Sequence, residues 1–241
     1  MTPDYPQPVI DFWQSRFPRE NIQYDDGGFS VIVNPDLSDK LRVMVLRMPD
    51  GSATAAVTPE VLAGLHLSGP SVPEEMFRNA LASAGILLHS PDLYFHFPIS
   101  ALNDLLEEPD PPQVRQLSSA DEATFTRFQS NAPGPDKDEA FVELDHWMVF
   151  GAFANGDLVS ATSMYPWDGS RLADLGVLTL PAFRGRGYGR DVVRAISRQA
   201  RRLGYETQYR CQRENEASAR LAIASGLTLF GQWEVIVQPE S

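Results

Sequence analysis

The spacing of apolar side chains changes abruptly in the second half of this chain, and the change predicts its clearest secondary structure. Residues 172–180 are mostly apolar, which is typical of a buried strand. The run stops at Pro181, and a glycine-rich turn follows over residues 184–189. Apolar side chains then recur at helical spacing until Gly204, a residue that suits a helix end. The side chains of this predicted helix face are Val192, Val193, Ile196, Ala200 and Leu203.

Similar patterns predict the order β-α-β-β-β-α-β-α-β for the second half of the chain. We expect a helix that begins at Ser118 and a hairpin turn at residues 154–157. We also expect a loop at residues 131–137, and a helix that Asn215 caps and Gly226 ends. The predicted strands cover residues 113–117, 147–153, 158–165, 172–180, 206–211 and 228–237.

The first half also mixes helical and extended patterns. An acidic stretch with three prolines, residues 107–113, separates the two halves and is the best candidate for a linker. We therefore predict an α/β fold with a mixed α+β sheet, in which a smaller N-terminal α/β domain over residues 1–112 precedes a second domain over residues 113–241. The N-terminal helices are predicted at residues 8–16, 59–65 and 73–84, and the strands at residues 29–33, 41–47, 54–57 and 93–97.

The glycine-rich turn has the composition of an anion-binding loop. A turn of this kind between a strand and a helix directs several backbone N–H groups at one point, with the positive end of a helix dipole behind them. A P-loop needs a Lys-Ser/Thr pair after its last glycine, whereas Gly189 is followed by Arg190. A dinucleotide loop needs a third glycine at the place that Arg190 occupies. The pyrophosphate loop of coenzyme A, Arg/Gln-x-x-Gly-x-Gly/Ala, is matched at Arg184, Gly187 and Gly189.

With these residues the chain resembles the GNAT family of N-acetyltransferases. The resemblance continues in residues 215–221, which are similar to the Asn-x-x-Ala/Ser-x-x-Leu-Tyr pattern of that family, and in the Gly226-Leu227 pair. It covers about residues 113–236. It implies a mixed sheet that splits near its middle to admit the pantetheine arm of acetyl-CoA, and an acetyl group that passes directly to an amine in a ternary complex.

The resemblance also implies which residues bind acetyl-CoA. Backbone N–H groups of residues 185–190 would hold the pyrophosphate, and strand residues 177–179 would pair with the pantetheine arm. A backbone N–H near Thr179 would donate to the oxygen of the acetyl group. Asn215 lies close to the cofactor in the family, although Asn is also a common helix cap. The full predicted set is Val177, Leu178, Thr179, Arg184, Gly185, Arg186, Gly187, Tyr188, Gly189, Arg190, Asn215 and Ser218.

A general base is needed to accept the proton of the attacking amine. Asp174 is the first choice, because it lies at the start of the strand that would run beside the cofactor. The alternatives, which precede the predicted hairpin, are Glu143, Asp145 and His146. The acceptor amine is predicted to contact Glu143, Asp145, Tyr165 and Tyr209.

The usual general acid of the family is missing from this sequence. The resemblance implies a tyrosine directly after Leu221, and Ala222 occupies that position. We therefore predict Tyr188 as the proton donor to the leaving thiolate, with Tyr165, Tyr209 and a water molecule as alternatives.

Charge limits the classes of partner. The formal net charge of −12 argues against non-specific nucleic-acid binding. Residues 184–202 nevertheless hold seven arginines and one acid. We expect Arg184, Arg186 and Arg190 to face a polyanionic ligand. The remaining arginines, expected on a solvated helix face, are Arg194, Arg198, Arg201 and Arg202.

Cysteine, histidine and hydropathy patterns lead to further expectations. Cys211 is the single cysteine, which excludes an internal disulfide and fits a cytoplasmic location. The four histidines and this cysteine lack metal-ligand spacing, so we expect no metal. No apolar run has the length of a membrane span, and no leader peptide is evident, so we expect no membrane partner.

The sequence leads to one main functional hypothesis and two alternatives. The first is an acetyl-CoA-dependent N-acetyltransferase that acts on the amine of a small molecule or a protein. Because Ala222 replaces the family tyrosine, a non-catalytic acyl-CoA sensor is the second. Transfer of a longer acyl chain, or transfer to a hydroxyl, is the third. A monomer and a homodimer are both compatible with the sequence.

Overall fold

The chain divides into two units that interleave along the sequence. The computed structural model describes residues 4–238. Within them, one unit comprises residues 4–9, 95–210 and 216–228, and is called unit 1. The other comprises residues 10–94, 211–215 and 229–238, and is called unit 2. That residues 1–112 form a domain of their own stays a prediction.

Unit 2 is built on a mixed sheet. Its strands are β1 Ile22–Asp25, β2 Phe29–Val33, β3 Val43–Arg47, β4 Ala53–Val57 and most of β11 Thr228–Val235. Their order is β1-β2-β4-β3-β11, in which only the β2–β4 pair is parallel. The helices are most of α1 Gln7–Arg16, α2 Pro59–Gly64 and α3 Glu74–Ser83. Strand β5, Asp92–His96, begins in unit 2 and ends in unit 1. Strand β1 was not predicted, because its residues are mostly polar and exposed.

The strands of unit 1 are also paired in a mixed arrangement, which confirms the predicted fold class. Its strands are β6 Val114–Gln116, β7 Met148–Ala154, β8 Asp157–Pro166, β9 Leu172–Thr179 and most of β10 Glu206–Gln212. Their order is β10-β9-β8-β7-β6, in which only the β9–β10 pair is parallel. The helices are α4 Ile99–Glu107, α5 Glu122–Ser130, α6 Gly134–Ala140, α7 Tyr188–Arg202 and α8 Glu216–Ala224.

Local sequence signals account for several of these boundaries. The Ser118 side chain accepts a backbone hydrogen bond while Asp121 bonds back to the Ser118 N–H, a capping box that starts the turn leading into α5. Asn155 and Gly156 both have positive φ angles, as a tight hairpin turn between β7 and β8 requires. The predicted face of α7 is buried at Val192, Val193, Ile196 and Ala200. Leu203, predicted on that face, is instead 50% exposed where the helix ends.

Two helices correct the sequence interpretation. The predicted loop at residues 131–137 is partly helical, because Pro135 suits the first turn of α6 and Pro133 is its N-cap residue. Helix α4 was not predicted, although it buries Leu102 and Leu105. Its short length and its position next to the proline-rich stretch concealed the periodicity.

The predicted linker is tied to α7 by ion pairs. Arg194 pairs with Glu108 at 2.5 Å, and Arg198 pairs with Asp110. Arg198 also donates to the carbonyl oxygen of Leu105 at 3.1 Å. The prediction of a solvated Arg198 is therefore wrong, since its side chain is only 1% exposed. An arginine is buried in this way when anions and carbonyls compensate its charge.

Candidate active site

Strands β9 and β10 separate part of the way along their length. Their parallel register runs from Leu172 opposite Glu206 to Leu175 opposite Tyr209. On its other side, β9 stays paired with β8 as far as Thr179 opposite Ser160. Residues 176–179 of β9 therefore lie beyond the register that joins β9 to β10. This segment is called the open edge.

The hydrogen bonds of β8 identify which peptide groups face the open edge. Thr162 Oγ1 donates to the carbonyl oxygen of Gly176 at 2.7 Å, and Ser160 Oγ donates to that of Leu178 at 3.2 Å. Those two carbonyls therefore point toward β8. Because peptide groups alternate in direction along a strand, the N–H and C=O groups of Val177 and Thr179 point the other way.

The open edge leads directly into the glycine turn and the start of α7. Gly185 and Gly187 have φ angles of 73° and 90°, which favour glycine strongly. Gly187 is the N-cap of α7 and offers no side-chain cap, and the first helical bond is from the Asp191 N–H to the Gly187 carbonyl. The backbone N–H groups of residues 188–190 thus lack helical acceptors and form an anion-binding terminus.

Helix α7 starts close against its neighbours at Gly189. A Cβ atom at this position would lie 3.1 Å from Thr179 Oγ1 and 3.3 Å from Leu221 of α8. The glycine thus allows α7 to begin beside the last residue of β9. Ala222, which follows Leu221, is fully buried.

The three arginines of the turn are exposed, as expected for ligand-facing groups. Arg184 donates to the Thr179 carbonyl at 3.1 Å and pairs with Asp136 of α6 at 2.5 Å. Arg190 pairs with its neighbour Asp191 at 3.1 Å, and Arg186 lies over the ring of Phe183. Exposed ion pairs contribute about 0–1 kcal/mol, so a polyanion can replace their carboxylates at little cost.

Asp174 is the centre of a buried polar cluster at the beginning of β9. Its Oδ1 accepts from Gln208 Nε2 at 3.1 Å, and its Oδ2 accepts from Arg210 Nη2 and Tyr165 Oη, both at 3.2 Å. Burial raises the pKa of the Asp174 carboxyl, while the Arg210 charge and these donors oppose the shift. Burial and the Asp174 charge raise the pKa of Tyr165 to about 12. Asp174 is 4% exposed, whereas Tyr165 is half-buried, so Tyr165 extends the cluster toward solvent.

His146 lies beside this cluster. Its Nδ1 is 2.7 Å from Ser163 Oγ, which also accepts the Glu143 backbone N–H at 3.3 Å. Burial lowers the pKa of His146, while the charges of Asp145 and Glu143 oppose the shift. The ring is therefore mainly neutral near neutral pH. Glu143 and Asp145 are exposed.

The end of α6 crosses β9 at Gly176. A Cβ atom at Gly176 would collide with the carbonyl oxygen of Ala140. The next residue, Phe141, has a φ of 45°, a conformation that costs a non-glycine residue about 1 kcal/mol or more. Its ring is 55% exposed. Sequence reasoning had missed Phe141, Gly176, Gln208 and Arg210, because only the fold brings them to Asp174 and the open edge.

The remaining predicted residues lie in three places. Tyr209 is buried at the end of the β9–β10 register, and its hydroxyl is 2.8 Å from Ser218 Oγ of α8. Tyr188 is the first residue of α7, and its ring meets that of Phe183 edge-on. Asn215 directly precedes α8 in the chain. Tyr209 and Tyr165 therefore belong to separate clusters.

A surface cleft of about 560 Å³ lies near the same turn, on the α5 side of the unit 1 sheet. It is bounded by α5, by the first residues of β8 and by residues 180–183. None of the glycines of the turn lines it. The open edge and the cleft are therefore separate features of unit 1.

Two kinds of feature are absent from residues 4–238. No helix in that range has the length and apolar character needed to cross a membrane. Nor does any group of three or more His, Cys, Asp or Glu side chains among those residues come together as metal ligands would.

Comparison with known proteins finds a family model that matches part of this chain. The model of the acetyltransferase (GNAT) family matches residues 114–226, which is slightly less than half of the chain. The predicted resemblance is thereby confirmed. No protein of curated function matches the chain significantly.

Solved structures of acetyltransferases resemble the chain at low identity. One, a GNAT-family acetyltransferase from Novosphingobium aromaticivorans, is 17% identical, covers 98% of this chain and 100% of its own, and has a TM-score of 0.48. Another, a GNAT-family acetyltransferase from Colwellia psychrerythraea, is 16% identical and has a TM-score of 0.49. The match covers 90% of this chain and 80% of the other chain. An aminoglycoside N-acetyltransferase in complex with CoA is 22% identical and has a TM-score of 0.41. The match covers 53% of this chain and 98% of the other chain.

Proposed function

We propose that this protein is an acetyl-CoA-dependent N-acetyltransferase that moves an acetyl group directly to an amine in a ternary complex. The observation that carries the proposal is the continuity of the open edge with the uncapped start of α7. An extended, amide-rich arm pairs with a strand edge, and a pyrophosphate binds a helix terminus. One ligand with both parts, joined in that order, is coenzyme A.

The residues of the turn fit this ligand by their chemistry. Backbone N–H groups of residues 185–190 hold the pyrophosphate, with Arg184, Arg186 and Arg190 around it. The N–H and C=O groups of Val177 pair with the pantetheine arm, beside Leu178. The Thr179 N–H pairs with the pantetheine arm near the turn, and a backbone N–H of β9 at the other end of the open edge donates to the acetyl oxygen. Asn215 and Ser218 are the further residues proposed at the cofactor.

Bound acetyl-CoA supplies an activated acetyl thioester. A cationic acceptor first loses one proton to solvent and becomes a neutral amine. The chain's own groups then have to remove one further proton from the attacking amine and deliver one to the sulfur. Asp174 is the proposed base, and because it is buried it acts through Tyr165. The Tyr165 oxygen accepts the amine proton while its own proton passes to Asp174 Oδ2, over the hydrogen bond of 3.2 Å. Tyr188 is the proposed donor to the leaving sulfur.

The acceptor-binding residues form the second part of the proposal. Glu143 and Asp145 attract the cationic amine, and Tyr165 contacts it. Tyr209 supports this region from the end of the β9–β10 register. The acceptor is the amine of a small molecule or a protein. A cytoplasmic location is part of the proposal, and the single cysteine is compatible with it.

A non-catalytic acyl-CoA sensor is the second candidate, and one observation favours it. Ala222 is fully buried at the position where the family has its catalytic tyrosine. The sensor binds acetyl-CoA and releases no thiol with any amine.

A thiol-release assay decides between the two functions. Wild-type protein is incubated with acetyl-CoA and a panel of alkyl, aryl and polyamine acceptors, with a blank that lacks the amine. Amine-dependent thiol release, together with the mass of the acetylated product, is the expected result. Saturable acetyl-CoA binding without thiol release above the blank would support the sensor and overturn the transferase.

A further inference from the structure

Three rings lie together beside the start of the open edge. The ring centroids of Phe141 and His146 are 5.1 Å apart, those of His146 and Tyr165 are 5.0 Å apart, and those of Phe141 and Tyr165 are 6.3 Å apart. These three residues are called the aromatic cluster. Trp167 extends it, with its ring 6.2 Å from that of Tyr165.

The cluster is not part of the buried core. The Phe141 side chain is 55% exposed, and His146 and Tyr165 are each half-buried. Phe141 is also held in a left-handed backbone conformation, where α6 ends across β9. Exposed apolar rings gathered at one place are typical of a binding site rather than of packing.

The register of the strands places the cluster next to the proposed reaction centre. His146 bonds to Ser163, and Ser163 lies opposite Gly176, the first residue of the open edge. Tyr165 lies opposite Asp174. The cluster therefore borders the end of the open edge that is farther from the glycine turn, where the acetyl group of an arm held at residues 176–179 would lie.

The charges around the cluster suit a cation with a flat apolar group. Glu143 and Asp145 are exposed on the segment between Phe141 and His146. The Arg210 guanidinium is neutralised by Asp174 and lies over the Trp167 ring. Aromatic faces attract ammonium groups, and they stack favourably against other rings.

We propose that the aromatic cluster binds the acceptor, and that the acceptor is a primary amine joined to an aromatic ring by a short chain. The inference rests on the proposed function, since it assigns the acceptor of that reaction. The acceptor ring packs against Phe141 and His146. Its amine lies toward Tyr165, whose hydroxyl donates a hydrogen bond to Asp174.

Two amines with the same carbon skeleton test the role of the rings. Phenethylamine and cyclohexylethylamine differ mainly in aromaticity, and their binding is measured by calorimetry with coenzyme A present. We expect wild-type protein to bind phenethylamine roughly fivefold more tightly. Phe141→Leu keeps an apolar side chain at the same backbone conformation and should abolish the difference. Trp147 is an aromatic residue that is 40% exposed and contacts Tyr205 outside the cluster. The control variant Trp147→Leu should therefore preserve the difference in affinity between the two amines.

Several results would overturn the inference. They are equal affinity for the two amines, failure of both to bind, and a preference that survives Phe141→Leu. Turnover of other amines under those conditions would leave the proposed function standing while the inference fails. Conversely, phenethylamine binding that depends on Phe141, measured without coenzyme A, would support the cluster as an amine site even if acetyl-CoA did not bind.

Discussion

At the scale of single residues, the candidate site combines predictable and unpredictable side chains. Arg184, Gly187 and Gly189 were identified from sequence because a phosphate loop needs particular residue types at fixed spacing. Asp174 was selected by position alone. Its three hydrogen-bond donors come from β8 and β10, which the chain order does not bring together. Only the strand register shows that its carboxylate is shielded behind Tyr165.

Asp174→Asn tests the proposed proton path. Because burial raises the pKa of Asp174, wild-type kcat/KM should fall with decreasing pH around an apparent pKa above the ordinary aspartate value of about 3.9. The carboxylate must be ionised to accept a proton, so activity is lost on the acidic side. Asp174→Asn should remove this acidic limb and lower kcat by about 10²-fold or more.

Two further variants make the test specific. Tyr165→Phe should lower kcat to a similar degree, and the double variant should be no worse than either single one if both residues serve one path. Asp157→Asn removes an exposed carboxylate in the β7–β8 hairpin and should leave the profile unchanged. An Asp174→Asn enzyme with the wild-type pH profile would refute the role of Asp174 as base.

At the scale of elements, periodicity predicted the long helix and the strands of unit 1 well. Helix α7 and strands β7 to β9 are apolar on at least one face and are bounded by glycine or proline. Helices α4 and α6 were missed because they are short and lie among prolines. The separation of β9 from β10 was expected only from the family resemblance. The hydrophobic periodicity of the sequence does not encode this separation, because the separation depends on the residue at which the pairing of β9 with β10 ends.

The position of α6 shows how tertiary packing adds to the site. Its last residue covers Gly176, and its Asp136 pairs with Arg184 of the glycine turn. A seven-residue helix thus contacts both the start of the open edge and the glycine turn. Neither contact is visible in the local sequence, because the partners are 36 and 48 positions away along the chain.

At the scale of the whole molecule, buried ionisable groups connect folding stability to pH. His96 is fully buried, and its Nδ1 donates to the Thr207 carbonyl oxygen at 3.0 Å. Burial lowers the pKa of His96 to about 4. The unfolded chain binds a proton at this residue near pH 6.5, whereas the folded chain does not until about pH 4. The contribution of the neutral His96 to the free energy of unfolding is therefore fully present above pH 6.5, and it is lost as the pH falls toward 4.

His96→Gln should reduce this pH dependence. The wild-type free energy of unfolding should lose about 3 kcal/mol through His96 alone between pH 6.5 and pH 4, and the variant should lack that part of the slope. Urea unfolding of both proteins at several pH values measures the difference. His89→Gln, at an exposed position, is the control. Parallel curves for wild type and His96→Gln would show that His96 is not the titrating group.

Calorimetric titration of acetyl-CoA tests the central claim most directly. The proteins are wild type, Gly187→Trp in the turn, and Gly51→Trp in the β3–β4 turn. The two glycines have nearly equal φ angles, 90° and 92°, and similarly open surroundings, so both substitutions impose comparable backbone strain. We predict saturable binding to wild type and to Gly51→Trp, and its loss in Gly187→Trp. Absence of binding to wild type, or equal binding to Gly187→Trp, would contradict the assignment of the glycine turn as the pyrophosphate site.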